Sequence, residues 1–323
     1  MTTIPRRWRH RAYMFFVLTA ALAALTGLSA SPAAAAGSSA VDFITCNPLA
    51  DDENVVFDGL AGLVGGSSAR GLDNGGGEPA LSQVHEDLPA GAKGKAGANF
   101  RVTVPVHFHV VHDGAIGKVT LDQINDQIDV LNLGFGGFEG GYRTGFSFEL
   151  ASVDYTDNAY WFYANPGGAE HGMKKALHTG GAGELNYYST TAGAYLGWAY
   201  LPNIVDKQLY LDGVVVDWES MPGTSATYAG RYDLGKTATH EVGHWINLEH
   251  VFYRGCSNYG DFVADTPPQK IATRGCPVGQ DSCTSPGLDS IHNYMDYSYD
   301  SCYNQFTKGQ TQRMRDAWLF YRA

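Results

Sequence analysis

The chain has 323 residues, of which 44% are apolar and 17% charged, and its formal net charge is −11. These fractions describe a folded globular protein and exclude a disordered one, and the length allows one large domain or two smaller ones. The acidic balance argues against nucleic acid as a partner.

The first 36 residues stand apart. Arg6, Arg7, Arg9 and Arg11 form a basic start, residues 12–28 an apolar run, and Ala34-Ala35-Ala36 a small-residue stretch suited to a signal peptidase. A signal peptide over 1–36 is expected; the small residues directly behind the run disfavour a membrane anchor. Its removal takes away four arginines and no acid, leaving 18 basic residues against 33 acidic, a net −15. No later apolar run is long enough to span a bilayer. Secretion to an extracellular location, without membrane association after signal cleavage, is therefore expected.

Residues 37–97 are rich in Gly, Ala, Ser and Asp. That composition cannot bury much of a core and reads as a pro-segment or flexible linker. The ordered domain is expected over 98–323, opening with a β-branched strand at 102–111. Leu121, Ile124, Ile128 and Leu131 recur at helical spacing over 120–133. Residues 146–153 alternate as a strand, 173–177 are helix-like, and 185–188, 195–201 and 211–218 read as further strands. These lead into a helix carrying His240 and His244. The order predicts an α/β (α+β) domain, a sheet backed by two long helices. Beyond His250 periodicity fades, which suits a loop-rich lobe stapled by disulfides. Its four cysteines, Cys256, Cys276, Cys283 and Cys302, allow three pairings. A helix from Thr307 closes the chain, with Thr307 and Gln310 as a capping box.

The densest chemistry lies at 240–252, His-Glu-Val-Gly-His-Trp-Ile-Asn-Leu-Glu-His-Val-Phe. His240 and His244, four apart, share one helix face and can hold a single Zn²⁺, with Glu241 in reach of a zinc-bound water. His250, six residues on, can join them only if the helix stops and the chain doubles back. Asn247 supplies the stop, because Asn follows Gly in readiness to adopt the left-handed conformation. The result is three histidines, one carboxylate and one open coordination position. His107 and His109 share a strand face and His112 follows, which could mimic a metal cluster. Ordinary strand histidines with satisfied hydrogen bonds are the favoured reading, since the strand lies far from the HExxH helix in sequence.

Further on, Asn293-Tyr294-Met295-Asp296-Tyr297 sets a methionine in a tyrosine-rich turn. With the histidine pattern it resembles the metzincin zinc peptidases, HExxHxxGxxH plus a Met-turn. More narrowly it resembles the secreted pappalysin family of the cytophagalysin and ulilysin type. Residues 240–252, 260–267, 293–297 and Cys302 with Phe306-Thr307 carry the resemblance, and weaker echoes at 196–199 and 212–215 extend it from about residue 100 to the C-terminus. The family has Gly where this chain has Asn247, and the turn is expected to survive at about 1 kcal/mol of strain.

The resemblance implies a twisted, mostly parallel sheet with an antiparallel edge strand. It implies a secreted zinc endopeptidase acting on protein or peptide substrates, made as a zymogen. His240, His244 and His250 become zinc ligands, Glu241 the general base, Met295 the Met-turn residue and Tyr297 the donor to the tetrahedral intermediate. The pairings Cys256–Cys283 and Cys276–Cys302 are implied, as is calcium on Asp261, Asp265 and Thr266. Asp300 is implied near the specificity pocket, where an acid would favour a basic substrate side chain. The substrate would lie extended along the edge strand at 195–201. Cys46, left over from the pairs, is a candidate zymogen latch whose thiolate takes the open zinc position, with Asp51 or Asp52 as carboxylate alternatives. The competing reading is a catalytically silent, zinc-stabilised secreted binding module.

Overall fold

The structure, a computed structural model, describes residues 67–71 and 86–323 apart from Ala194 and Tyr259. The expected signal peptide, Cys46 and most of the expected pro-segment lie outside the described residues. In chain order the elements are β1 (Ser67–Gly71), β2 (Val102–His112), α1 (Leu121–Phe135), β3 (Phe146–Asp157), α2 (Ala159–Phe162), α3 (Gly168–Leu177), β4 (Leu185–Thr190), β5 (Tyr195–Tyr200), α4 (Val205–Gln208), β6 (Val214–Asp217), α5 (Lys236–Trp245) and α6 (Lys308–Tyr321). Among the described residues no helix is long and apolar enough to cross a membrane.

The strands form one sheet in the order β1-β5-β6-β4-β2-β3. The pairs β2–β3, β2–β4 and β4–β6 are parallel, whereas β5 runs antiparallel to β6. β2 is buried without interruption from Val106 to His112, as a central strand covered on both faces must be. The main core joins Val104, Val106 and Phe108 of β2 to Ile124, Ile128 and Leu131 of α1 and to Val242 and Trp245 of α5. A smaller core on Val111, Met173, Tyr188 and Trp198 fills the opposite side. α1 starts where Thr120 and Gln123 exchange hydrogen bonds as a capping box, and α6 starts with the same device at Thr307 and Gln310.

Two expectations about the elements need correction. Residues 211–218 are not one strand: Leu209–Leu211 make a 3₁₀ turn and only Val214–Asp217 extend. Asp212 between them turns inward to Arg322 and Trp245, long-range partners that local pattern cannot reveal. The short helix starts earlier, at Gly168 instead of 173.

The last part of the supposed linker is also ordered. Leu88 and Ala92 are buried against Ala317 and Tyr321 of α6. The Asp316 carboxylate accepts hydrogen bonds from the backbone of Gly94 (2.7 Å) and Ala96 (2.8 Å). A Gly- and Ala-rich stretch has no core of its own, yet it can lie close against a helix that supplies one.

β1 lies within the same N-terminal stretch and pairs antiparallel with β5, Ser67 opposite Tyr200 and Ala69 opposite Trp198. The strand expected to offer a free edge therefore carries a strand of its own chain. The lobe between α5 and α6 has no long element and is held by Cys256–Cys283 and Cys276–Cys302, the pairs the resemblance implies. Closing loops of 27 and 26 residues is worth about 3 kcal/mol each in the chain-entropy model.

Candidate active site

α5 is buried at every residue. Its start is held by Asp300, whose carboxylate accepts from the backbone N–H of Leu234 (3.0 Å) and Lys236 (3.3 Å). Asp300 is fully buried in that position. At the other end Asn247 takes φ 77°, in the left-handed region. The Asn247 N–H donates to the His244 carbonyl (2.8 Å) and the Leu248 N–H to that of Gly243 (2.9 Å), so the last carbonyls are satisfied and the chain reverses.

The reversal brings three imidazoles together. The Nε2 atoms of His240, His244 and His250 lie 3.0–3.1 Å from one another. His240 Nδ1 meets the Tyr294 carbonyl at 2.6 Å and His244 Nδ1 the Leu248 carbonyl at 2.7 Å. A carbonyl only accepts, so these two Nδ1 atoms carry the proton, and the Nε2 atoms of His240 and His244 point unshared pairs at each other and at His250 Nε2. Lone pairs packed so closely repel unless a cation sits between them. A tetrahedral ion with bonds of ~2.0–2.1 Å would space its ligands at about 3.3 Å. The donor set therefore fits a metal with an affinity for imidazole.

The turn at 293–297 lies against this cluster through the Tyr294 carbonyl on His240. Met295 is fully buried, and its carbonyl accepts from the Val251 N–H at 3.1 Å, tying the third histidine's segment to the turn. A Cβ added to Gly243 would lie 2.5 Å from Met295 Sδ, so the methionine reaches the helix only because that position is glycine. Tyr297 sits at the rim, its ring centroid 4.9 Å from that of His250 and 5.8 Å from that of His240. Glu241 is fully buried, facing Gly197 of β5.

The acidic cluster beyond the site divides. Thr266 Oγ1 donates to Asp261 Oδ1 at 2.8 Å, as does the Val263 N–H at 3.1 Å. Asp261 Oδ2 is buried without a hydrogen-bond partner, and burial pushes the carboxyl up to about 7. Asp265 does not join them. Its carboxylate accepts from Thr307 Oγ1 (2.7 Å) and the Gly309 N–H (2.8 Å), capping α6. His109 is held between Asp154 and Asn186, and His107 by Ser152, so the β2 histidines are strand residues with partners of their own. Among the described residues one further grouping, Cys276, His292 and Cys302, has metal-like proximity, but its two sulfurs are bonded to each other.

Sequence reasoning missed the residues that hold the ligands in place. Gly197 and Gly243 could have been suspected, since glycine inside a strand or helix is unfavourable unless close packing requires it. Arg313, which donates to the Asn247 carbonyl, and the reciprocal amide pair of Asn293 and Gln310 beneath the Met-turn gave no local signal.

A mostly parallel sheet in which β5 runs antiparallel to its neighbours, and a helix ending in three convergent histidines beside a methionine turn, define a metallopeptidase of the metzincin class. Residues 224–318 match the peptidase M43 family model, described as pregnancy-associated plasma protein-A. An extracellular metalloprotease of Arthroderma benhamiae is 45% identical over 229 residues, 69% of this chain and 74% of the relative. The chain belongs to this family, the pappalysin-type secreted metalloendopeptidases. A Neurospora crassa extracellular metalloprotease is 44% identical over 248 residues, covering 74% of this chain and 83% of its own. Among solved structures, mirolysin in complex with compound 9 superposes with a TM-score of 0.60 at 30% identity, over 68% of this chain and 92% of that one. Mature mirolysin of Tannerella forsythia in complex with a cleaved peptide gives 0.57 at 30% identity, over 67% and 90%.

Proposed function

We propose that the metal is zinc, held by His240, His244 and His250, and that Glu241 is the general base of peptide-bond hydrolysis. The convergence of three Nε2 atoms, two of them with lone pairs fixed by backbone carbonyls on the opposite ring nitrogen, carries this reading. When bound, zinc supplies positive charge that acidifies water toward a pKa of about 7 and polarises the scissile carbonyl. Glu241 takes the water's proton and returns it to the leaving amine. Tyr297, beside the His240 and His250 rings, donates its hydroxyl to the oxyanion. Metal analysis should find one zinc per chain in the unaltered protein and a large loss in His250→Ala; equal zinc in both would sink the ligand assignment.

Gly197 sets the position of Glu241. A Cβ there would lie 2.8 Å from the Val215 carbonyl oxygen, 3.0 Å from Glu241 Cγ and 3.2 Å from its Oε1. Gly197→Ala is expected to destabilise the fold by about 1–3 kcal/mol. It should also lower kcat by about 10²-fold, since a displacement near 1 Å suffices for that. The zinc content should not change, and unaltered turnover in this variant would argue against a role for the carboxylate's placement.

Substrate joins the sheet at β5 by backbone hydrogen bonds. The antiparallel pairing of β1 on that strand supports the reading, since it is the geometry a bound peptide would copy. It also supports a precursor in which residues 37 onward keep substrate out until they are cut. Cys46 is our proposed ligand for the ion's open position in that precursor, and Cys46→Ala should then give premature self-cleavage during expression.

Calcium is proposed at Asp261 and Thr266, without Asp265. The buried Oδ2 without a hydrogen-bond partner, and a carboxyl pKa that burial keeps raised despite the nearby Arg313 charge, both describe a carboxylate that its surroundings do not fully compensate. At pH 8, where the carboxylate is charged, calcium at a hundredfold excess over its Kd should stabilise the domain by about 2.7 kcal/mol. Asp261→Asn should abolish the gain in Tm, and an equal gain in that variant would place the ion elsewhere.

A further inference from the structure

We propose that the stretch beginning at Glu86 is a working part of the catalytic domain: Asp87 holds Arg313, Arg313 holds the turn that delivers His250, and the activating cut must fall on the N-terminal side of Asp87. This rests on the reading of His250 as a zinc ligand.

Arg313 projects from α6 and is buried. Its Nε donates to the Asn247 carbonyl at 2.8 Å, and its Nη1 to Asp87 Oδ1 at 2.8 Å. Asn247 lies just past the end of α5, where carbonyls lose their intrahelical partners, and three residues before His250. The guanidinium thus occupies the outside of the bend that carries the third histidine to the other two. A buried cation needs an acid near it, and Asp87 is its ion-pair partner. Burial disfavours the Asp87 charge, but the hydrogen bonds from Lys93 and Arg313 outweigh that and hold its carboxyl below the usual range. Asp87 is not loosely placed. Leu88 and Ala92 pack on α6, and Asp316 and Gln312 bind the backbone of residues 94–96. Without Asp87, Asp261 remains as an acid acting on Arg313, but the guanidinium loses its ion pair.

Asp87 is therefore a positioning residue, acting on metal retention through Arg313 and Asn247. Groups hydrogen-bonded directly to metal ligands commonly change metal affinity by about 10–100-fold, and Asp87, acting through Arg313, is expected at the low end of that range. The experiment uses the full chain, matured and zinc-loaded, with N-terminal sequencing and the rate of zinc transfer to a chromogenic chelator. The mature N-terminus should precede Asp87. Asp87→Ala and Asp87→Asn should release zinc about tenfold faster, whereas Lys93→Ala, which removes the other partner of Asp87, should release it at the unaltered rate. An active mature chain that begins after Asp87, or an unaltered rate in both Asp87 variants, overturns the proposal. If His250→Ala alone accelerates release, the ligand reading stands and the Asp87 proposal falls. If His250→Ala keeps zinc as firmly as the unaltered protein, the ligand reading itself has failed.

Discussion

Glu241→Gln should leave the zinc in place and lower kcat/KM on a peptide substrate by about 10²–10⁴-fold, the range a positioned general base supplies. Gln keeps the length and shape of Glu, so its packing against Gly197 should survive. An amide, however, cannot accept a proton at neutral pH. The three imidazoles do not depend on residue 241 for their positions. They are set by the Tyr294 and Leu248 carbonyls and by the bend at Asn247. The expected pattern is thus a full metal complement and an unchanged unfolding midpoint with nearly all turnover lost. A variant with ordinary turnover would remove Glu241 from the mechanism; one without zinc would mean the carboxylate helps to hold the ion.

The largest effect on stability is expected at the C-terminus. Arg322, one residue from the chain end, forms a two-pronged ion pair with Asp212 at 2.8 and 2.9 Å, both side chains fully buried. It also donates to the carbonyls of Ala182 and Trp245, and its guanidinium lies 3.7 Å from the Trp245 ring centroid. Trp245 in turn donates its indole N–H to Asp212 at 2.9 Å. Arg322→Ala would leave Asp212 charged, buried and without its cation, which typically costs about 3–5 kcal/mol. Against a usual total of about 5–15 kcal/mol, that is a large fraction. Urea unfolding should show a much lower midpoint, and Arg322→Lys should recover only part of it, because an ammonium cannot reproduce the paired donors. Since Trp245 follows His244, deleting the last two residues should also weaken the end of the histidine helix. A midpoint within experimental scatter of the unaltered protein would show that the pair contributes nothing net.

What was legible in the sequence was local. The spacing of His240, His244 and His250, the acid beside the first and the helix-stopping Asn247 interact within a dozen residues, so the motif contains its own geometry. The capping boxes at Thr120 and Thr307 are local for the same reason. The supports of the site were not legible, because each depends on a partner far along the chain. Asp212 meets Arg322 across 110 positions and Arg313 meets Asp87 across 226. Asp265 shows the cost of reading a carboxylate as a cation ligand. It is used at a helix start, as Asp300 is, where unsatisfied N–H groups are as good a partner for an acid as a cation is. The segment after residue 86 misled for a related reason: composition reports whether a stretch can build a core, not whether another element offers it one.

The most direct test of the central claim measures metal content and casein hydrolysis together on the mature protein. The measurement is made before and after treatment with a chelator, and again after zinc is restored. The account predicts one zinc per chain, loss of hydrolysis in step with loss of zinc, and recovery on adding zinc but not calcium. Full hydrolysis by metal-free protein would contradict it. So would a protein that carries its zinc and cuts nothing, which would leave the silent binding module as the better description.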